Sequence, residues 1–464
     1  PWGTAKLVTV NGGYRKPAPR NGFVAAEAAY FWLQPGQPSS VRLRSWRLDA
    51  CGVWTVEAAH YGRAEARLSV AVTPYRRLYP PPATSPFGIN GGDAAMLTRF
   101  ALTGQRDVGR YLWQWLEPRE DQWSDEGRFA QAADDHPAGL TLTGTLGQAP
   151  AWASDSAGVP RDLDRWSEYV RRTVAGNVGQ VALWEAWPEP DLNPTLAAEP
   201  DRYVDLLRAA YAAQRAADPD ARMIGPSVSD LTPSSFAFAD RVFALGGLAC
   251  LDQVAWQAVN HDEPEGPFLD GLRRINALVA EHGAERSLVL TDYGTGGISD
   301  PAPHIPWSAD AGRRWDGDEQ AALLVRQSVL ALWQGATRLH WSAPNEEQLS
   351  AGPNALGLVR ADTYSTPKPA LLALSHMARL LGDAQLPPQQ RRPRPGAWAF
   401  RFETPPSHVA CYWDPHGPSA PTWSKAATVY DLYGNIVPRG QWRLRPEPQW
   451  VVWPSNSTGP GFYP

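Results

Sequence analysis

Cysteine is scarce in this sequence, with three in 464 residues: Cys51, Cys250 and Cys411. They are far apart and odd in number, which argues against a disulfide framework or a cysteine metal cluster. One pairing, Cys51 with Cys411, becomes feasible if both ends of the chain share a domain; three buried free thiols are the other expectation. No Cys/His group has ligand spacing, so no metal or other cofactor is expected. No apolar run approaches the ~18 residues of a membrane-spanning helix. Lys and Arg are scattered, with no polybasic run. The net charge of -5 is too mild to imply a nucleic-acid partner. No internal repeat or low-complexity tract stands out.

What remains is an ordinary globular composition, 43% apolar and 20% charged, in a chain long enough for two or three domains. Tryptophan departs from it, with 22 residues. Each offers a flat apolar face and one N–H donor. Most belong in a core, but the excess as a set tilts towards carbohydrate, because sugar rings stack their C–H faces on such surfaces. The chain begins at Pro1 without Met, so secretion or periplasmic export after loss of a signal peptide is one expectation and a cytoplasmic location the other. Oligomeric state has no signature here.

Residues 1–80 alternate as half-buried strands do, in "SVRLRSWRL", "VWTVEAAHY" and "ARLSVAVTPY". The proline-rich "YPPPATSPFG" then acts as a linker. From 85 to 381, short apolar runs alternate with amphipathic helices. The runs are at 87–90, 107–113, 139–146, 180–187, 221–227, 251–257, 287–294 and 336–343. Helical faces are clear at Trp166, Tyr169, Val170, Thr173 and Val174, and at Tyr203, Leu206, Leu207, Ala210 and Tyr211. A third comprises Ala321, Leu324, Val325, Ser328 and Leu332. This spacing predicts an α/β fold, a (β/α)8 TIM barrel. A doubly wound sheet is the competitor, but no G-x-G-x-x-G follows the first strand. Residues 385–464 return to strand-like runs. They predict a C-terminal β-sandwich, completed by residues 1–80.

Functional residues of such a barrel sit at the C-terminal ends of its strands. Glu189 in "LWEAWPEPDLNP" falls just past strand four, and Asp292 in "LVLTDYG" ends strand seven. Two carboxylates aimed at one point suit glycosidic cleavage, one as protonated acid and one as ionised nucleophile or base. Glu185, Trp187 and Glu189 share one side if strand four stays extended. A carboxylate pointing into the barrel needs a partner, and Arg110 on strand two is the candidate for Glu185. Glu263, Glu265, Glu346 and Glu347 read as solvated loop residues.

At this point "WPEPD" (187–191) resembles the W-N-E-P motif of clan A glycoside hydrolases, and "LVLTDYG" resembles their strand-seven motif. "FGIN", "WLEPREDQW", "LGQAPAWAS" and "YSTPKPALLAL" resemble further segments of that clan in the same order. The nearest likeness is to family 39, the xylosidase, iduronidase and exopolysaccharide-hydrolase relatives. The resemblance covers roughly residues 85–381. It implies Glu189 as general acid/base and Asp292 as nucleophile, with Trp187, Tyr293, Trp152 and Trp341 lining the sugar site and Tyr293 tuning Asp292 by a hydrogen bond. Arg110 matches the clan's strand-two arginine.

Three positions depart from the motifs. Pro188 stands where the clan has an Asn that donates to the sugar 2-hydroxyl, and it restricts Trp187 to an extended backbone. Strand six reads "WQAVNH" in place of His-x-Tyr, with Gln257 or His261 as substitutes. Asp292 replaces Glu, and the loss of one C–C bond, roughly 1.5 Å, widens the carboxyl gap towards the about 6.5–9.5 Å of inverting enzymes. Three outcomes stay open: a backbone shift that restores a nucleophile and retention, the leading expectation; inversion with Asp292 as base; or loss of catalysis. The sequence therefore predicts a hydrolase of β-glycosidic bonds in a poly- or oligosaccharide, with a catalytically silent carbohydrate-binding barrel as the alternative.

Overall fold

Eight short parallel strands close on themselves into a barrel. In chain order they are Phe87–Asn90, Gly104–Asp107, Thr141–Leu146, Val181–Ala186, Arg222–Val228, Gln253–Val259, Leu288–Gly294 and Ala336–Trp341. They are called strands one to eight below. The structure, a computed structural model, describes residues 2–8, 29–32, 51–60, 63–72, 84–92, 94–124, 129, 139–260, 262–296, 317–345, 348–349, 352–353, 356–360, 367–391, 396–404, 407–417 and 427–455.

Seven of the eight strands fall on the predicted runs, and strand two does not. It is the polar "GQRD" at 104–107, ahead of the apolar run at 107–113. That run leaves the strand through a turn and enters the short helix Trp113–Leu116, where Trp113 and Leu116 are buried. Its apolar side chains pack on strand four and on the helix Leu163–Ala175, Tyr111 against Trp184 and Trp113 stacked on Tyr169 with ring centroids 5.1 Å apart. Strand two itself is poor in apolar residues because the barrel interior beside it is polar and tight. A Cβ on Gly88 would lie 2.4 Å from the Gly104 carbonyl oxygen, so strands one and two approach as only glycine permits. Arg338 of strand eight reaches into this half, donating to the Ser85 carbonyl at 2.9 Å. The other half is apolar, with Leu183, Ile224, Ala255 and Val289 packed together from strands four to seven.

The helices form where the sequence period places them. On Leu163–Ala175 the buried residues are Trp166, Tyr169, Val170, Thr173 and Val174, and Asp162 caps the start by accepting from the amides of Asp164 and Arg165. Helices Pro200–Ala217, Pro233–Ala244, Pro267–Glu281 and Pro369–Leu381 open on proline, whose fixed φ and missing N–H suit the first turn. Helix Gly317–Trp333 differs from its predicted single face, because residues 320–332 are all buried. The C-terminal sheet covers its outer side, with Trp333 against Trp398 and Phe400.

The terminal segments form antiparallel sheets. Trp2–Val8, Ala29–Trp32, Gly52–His60 and Arg63–Val72 make a four-stranded sheet. Gln385–Arg391, Trp398–Thr404, Ser407–Trp413, Thr428–Tyr430 and Gln449–Pro454 make a five-stranded one. The whole is a TIM barrel with an accessory β-sandwich. Its two ends meet where Asn435 accepts from the Cys51 amide at 2.7 Å and donates to the Cys51 carbonyl at 3.2 Å. Cys51 does not pair with Cys411; all three cysteines are free.

Two further expectations change. Glu265 is not a solvated loop charge, and Glu263, 38% exposed, is only partly one. Both ion-pair with Arg326, whose side chain is 3% exposed, and Glu265 also accepts from the Trp413 indole at 2.6 Å. Glu346 and Glu347 lie outside the described residues. Among the described residues no helix is long and apolar enough to cross a membrane.

Candidate active site

The chain leaves strand four at Ala186 and turns at once. Trp187 and Glu189 take positive φ values of 57° and 53°, on either side of Pro188. Left-handed backbone at such residues costs of order 1–3 kcal/mol each and persists where surrounding contacts hold it. Here the Trp187 amide donates to the Leu146 carbonyl at 2.7 Å and the Glu189 amide to the Ser227 carbonyl at 3.0 Å. The turn cancels the expected alternation and the extended backbone at Trp187. Glu185 is buried, Trp187 packs on Trp166 at 6.2 Å, and Glu189 stands exposed beyond them.

Asp292 comes from strand seven, across the barrel. Its Oδ2 accepts from the Asn90 amide at 3.1 Å, and its Oδ1 accepts from the Ser342 hydroxyl. Asn90 in turn accepts from Arg106 at 3.4 Å. Arg106 grips Glu185 with two hydrogen bonds of 2.8 and 3.1 Å. Strand two therefore does supply the partner of Glu185, but it is Arg106 and not Arg110. Arg110 lies past the strand end and pairs with Asp107 at 3.0 Å. The shift of strand two by a few residues explains the exchange.

Burial pushes the Asp292 carboxyl up to about 6; the Ser342 hydrogen bond and Arg106 pull it down, and the charges of Glu189 and Glu185 push it up. Glu189 also acts on Arg106 through its charge. The two candidate carboxylates thus share one electrostatic site, exposed on one side and ringed by protein on the other.

The remaining predicted residues divide. Gln257 is buried at the end of strand six, beside Asp292 in the register. Trp152 is half-buried, donates to the Glu117 carbonyl at 3.1 Å and stands edge-on to Trp113. Tyr293 and Trp341 are fully buried, with ring centroids 5.3 Å apart. The Tyr293 hydroxyl meets Ser328 at 2.9 Å, so the hydrogen bonds on Asp292 come from Asn90 and Ser342 in its place. The Trp341 indole donates to the Leu356 carbonyl at 2.7 Å. His261 lies outside the described residues. Sequence reasoning missed Asn90, Arg106 and Ser342. Their signal was position: each is at or just past the C-terminal end of strand one, two or eight.

No protein-family model matches the sequence, and no curated protein matches it. Solved structures do. One is a family 39 glycoside hydrolase from the gut symbiont Bacteroides cellulosilyticus, with a TM-score of 0.73 and 17% identity over 97% of this chain and 94% of that one. The chain shares the fold of this family 39 glycoside hydrolase. A glucosidase from Croceicoccus marinus is similar at a TM-score of 0.57 and 13% identity, covering 81% of this chain and 97% of that one. A family 30 endoxylanase from Clostridium papyrosolvens follows at 0.51 and 12%, covering 80% and 96%. At these identities the likeness is one of fold, and the site rests on its own geometry.

Proposed function

We propose that this chain is a glycoside hydrolase that cleaves β-glycosidic bonds in a poly- or oligosaccharide. Residues 85–381 form the catalytic barrel, and 1–80 with 385–464 the accessory sandwich. The observation that carries the reading is the pairing of an exposed Glu189 with a ringed, hydrogen-bonded Asp292 at one barrel mouth. Two carboxyls in unlike environments are what acid and nucleophile need.

Glu189 gives its proton to the glycosidic oxygen as the C1–O bond breaks, and an Asp292 oxygen bonds to C1. Water then attacks C1, Glu189 takes the water proton, and the ester to Asp292 breaks. Asn90 and Ser342 hold the Asp292 carboxylate, and Arg106 stabilises its charge. A second reading makes Asp292 the base that activates water for inversion. It is favoured by an Asp292 pKa of about 6, close to what a general base needs at neutral pH.

The anomer of the first-formed sugar, read by NMR, decides between these readings. Glu189→Gln should slow poor leaving groups most, because they need protonation. Asp292→Asn should abolish turnover; an active variant would remove strand seven from the mechanism. Binding across a β-glycan panel without release of reducing ends would mark the barrel as a carbohydrate-binding protein.

A further inference from the structure

Trp115 is 50% exposed at the barrel mouth, and neither carboxylate accounts for it. Its apolar face meets water, which is unfavourable. The short helix Trp113–Leu116 fixes its direction, because Trp113 and Leu116 are buried on that helix. The helix is pinned to the end of strand three: the Trp113 amide donates to the Gly147 carbonyl at 3.0 Å and the Gln114 amide to the Gln148 carbonyl at 2.9 Å. The Gln114 and Gln148 carboxamides meet in the open at 2.6 Å. Gln148 is held at a φ of 48°, a strained conformation for a residue with a side chain.

This group adjoins the candidate acid. A Cβ on Gly147 would lie 3.7 Å from Pro188 Cδ, and Glu189 follows Pro188. Strands two, three and four are neighbours in the barrel, while strand seven, which carries Asp292, lies opposite strand three. Gln114, Trp115 and Gln148 therefore stand at the ends of strands two and three, next to the strand that leads to Glu189 and across the barrel from the strand of Asp292. In glycoside cleavage the sugar that reacts at C1 faces the nucleophile or base, and the departing group faces the acid.

We propose that Trp115, Gln114 and Gln148 form the subsite for the leaving group and take a neutral, β-linked sugar unit. The C–H face of the ring stacks on the indole. Its hydroxyls bond to the two carboxamides, which carry no charge and offer both donors and acceptors. The proposal rests on the reading of Glu189 as the acid.

The test compares two substrates in the intact chain. β-Cellotriosyl and β-xylotriosyl fluorides fill the nucleophile side with sugar, leave as fluoride and put no ring in this subsite, whereas gluco- and xylo-hexasaccharides fill both sides. Trp115→Ala should lower the ratio of kcat/KM on hexasaccharide to kcat/KM on fluoride by about tenfold. Trp115→Phe, which keeps a ring face, should recover most of it. Equal losses on both substrates, or no loss on either, would overturn the subsite. The same hexasaccharides titrated by calorimetry into Glu189→Gln, with and without Trp115→Ala, separate this proposal from the hydrolase reading. A protein that binds them in a Trp115-dependent way and never cleaves keeps the platform and loses the hydrolase reading. One that cleaves with an unchanged ratio keeps the hydrolase reading and loses the platform. If no hexasaccharide binds, both fall.

Discussion

Asp292 holds its charge against burial and two neighbouring carboxylates, helped by Ser342 and Arg106. Its carboxyl rises from 3.8 to about 6, so the folded chain binds that proton more tightly than the unfolded chain. Stability from this residue is greatest below the unfolded value and is lost as pH rises through the folded one. The loss by neutral pH is up to about 3 kcal/mol, less the screening that partial exposure allows. Asp292→Asn should therefore raise Tm at pH 8 and change it little at pH 4, as scanning calorimetry at both pH values would show. Catalysis needs the ionised form in either role, so activity should fall on the acid side around pH 6. Ser342→Ala removes a bond that favours the ionised form, so the acid limb should move to higher pH. An unmoved limb would mean that Ser342 does not govern Asp292. None of these partners was legible from sequence, because Asn90 and Ser342 are adjacent to Asp292 only after the barrel closes.

The elements were legible wherever one period ran uninterrupted. Helix Leu163–Ala175 showed its buried face because its outer side meets water and its inner side meets the barrel. Its cap is equally local, and Asp162→Ala should cost about 1 kcal/mol in urea unfolding. Strand two was displaced because its burial comes from glycine and arginine inside a tight barrel half, not from apolar alternation. Gly88→Ala tests that account. The added Cβ would meet backbone at 2.4 Å, with no flexible side chain to give way, and overpacking of this kind costs at least about 1–3 kcal/mol. A mild effect in thermal unfolding would show that strands one and two can part. The turn at Trp187–Glu189 was also hidden: two positive φ values around a proline leave no mark in a hydrophobic pattern.

At the scale of the whole molecule, Glu265, held by Arg326, ties the barrel to the C-terminal sheet. Arg326 pairs with Glu263 and Glu265, and Glu265 also holds the Trp413 indole. Arg326→Ala would leave Glu263 and Glu265 with no cation; removing one partner of a fully buried pair costs about 3–5 kcal/mol, and the 38% exposure of Glu263 lowers the cost here. Converting both glutamates to glutamine in that background should restore part of the lost Tm; no restoration would mean that packing, rather than charge, holds the junction.

The sequence by itself determined the alternation of eight strands with helices, the terminal strand-rich segments, and Glu189 and Asp292 at two strand ends. Those are properties of local period and local order, which a chain displays before it folds. Only the tertiary structure decided that Arg106 rather than Arg110 meets Glu185, that Asn90 and Ser342 hold Asp292, and that Tyr293 and Trp341 are buried. Which strand ends face one another is fixed by closure of the barrel, and contacts between residues as distant as Asn90 and Asp292 arise from that closure alone.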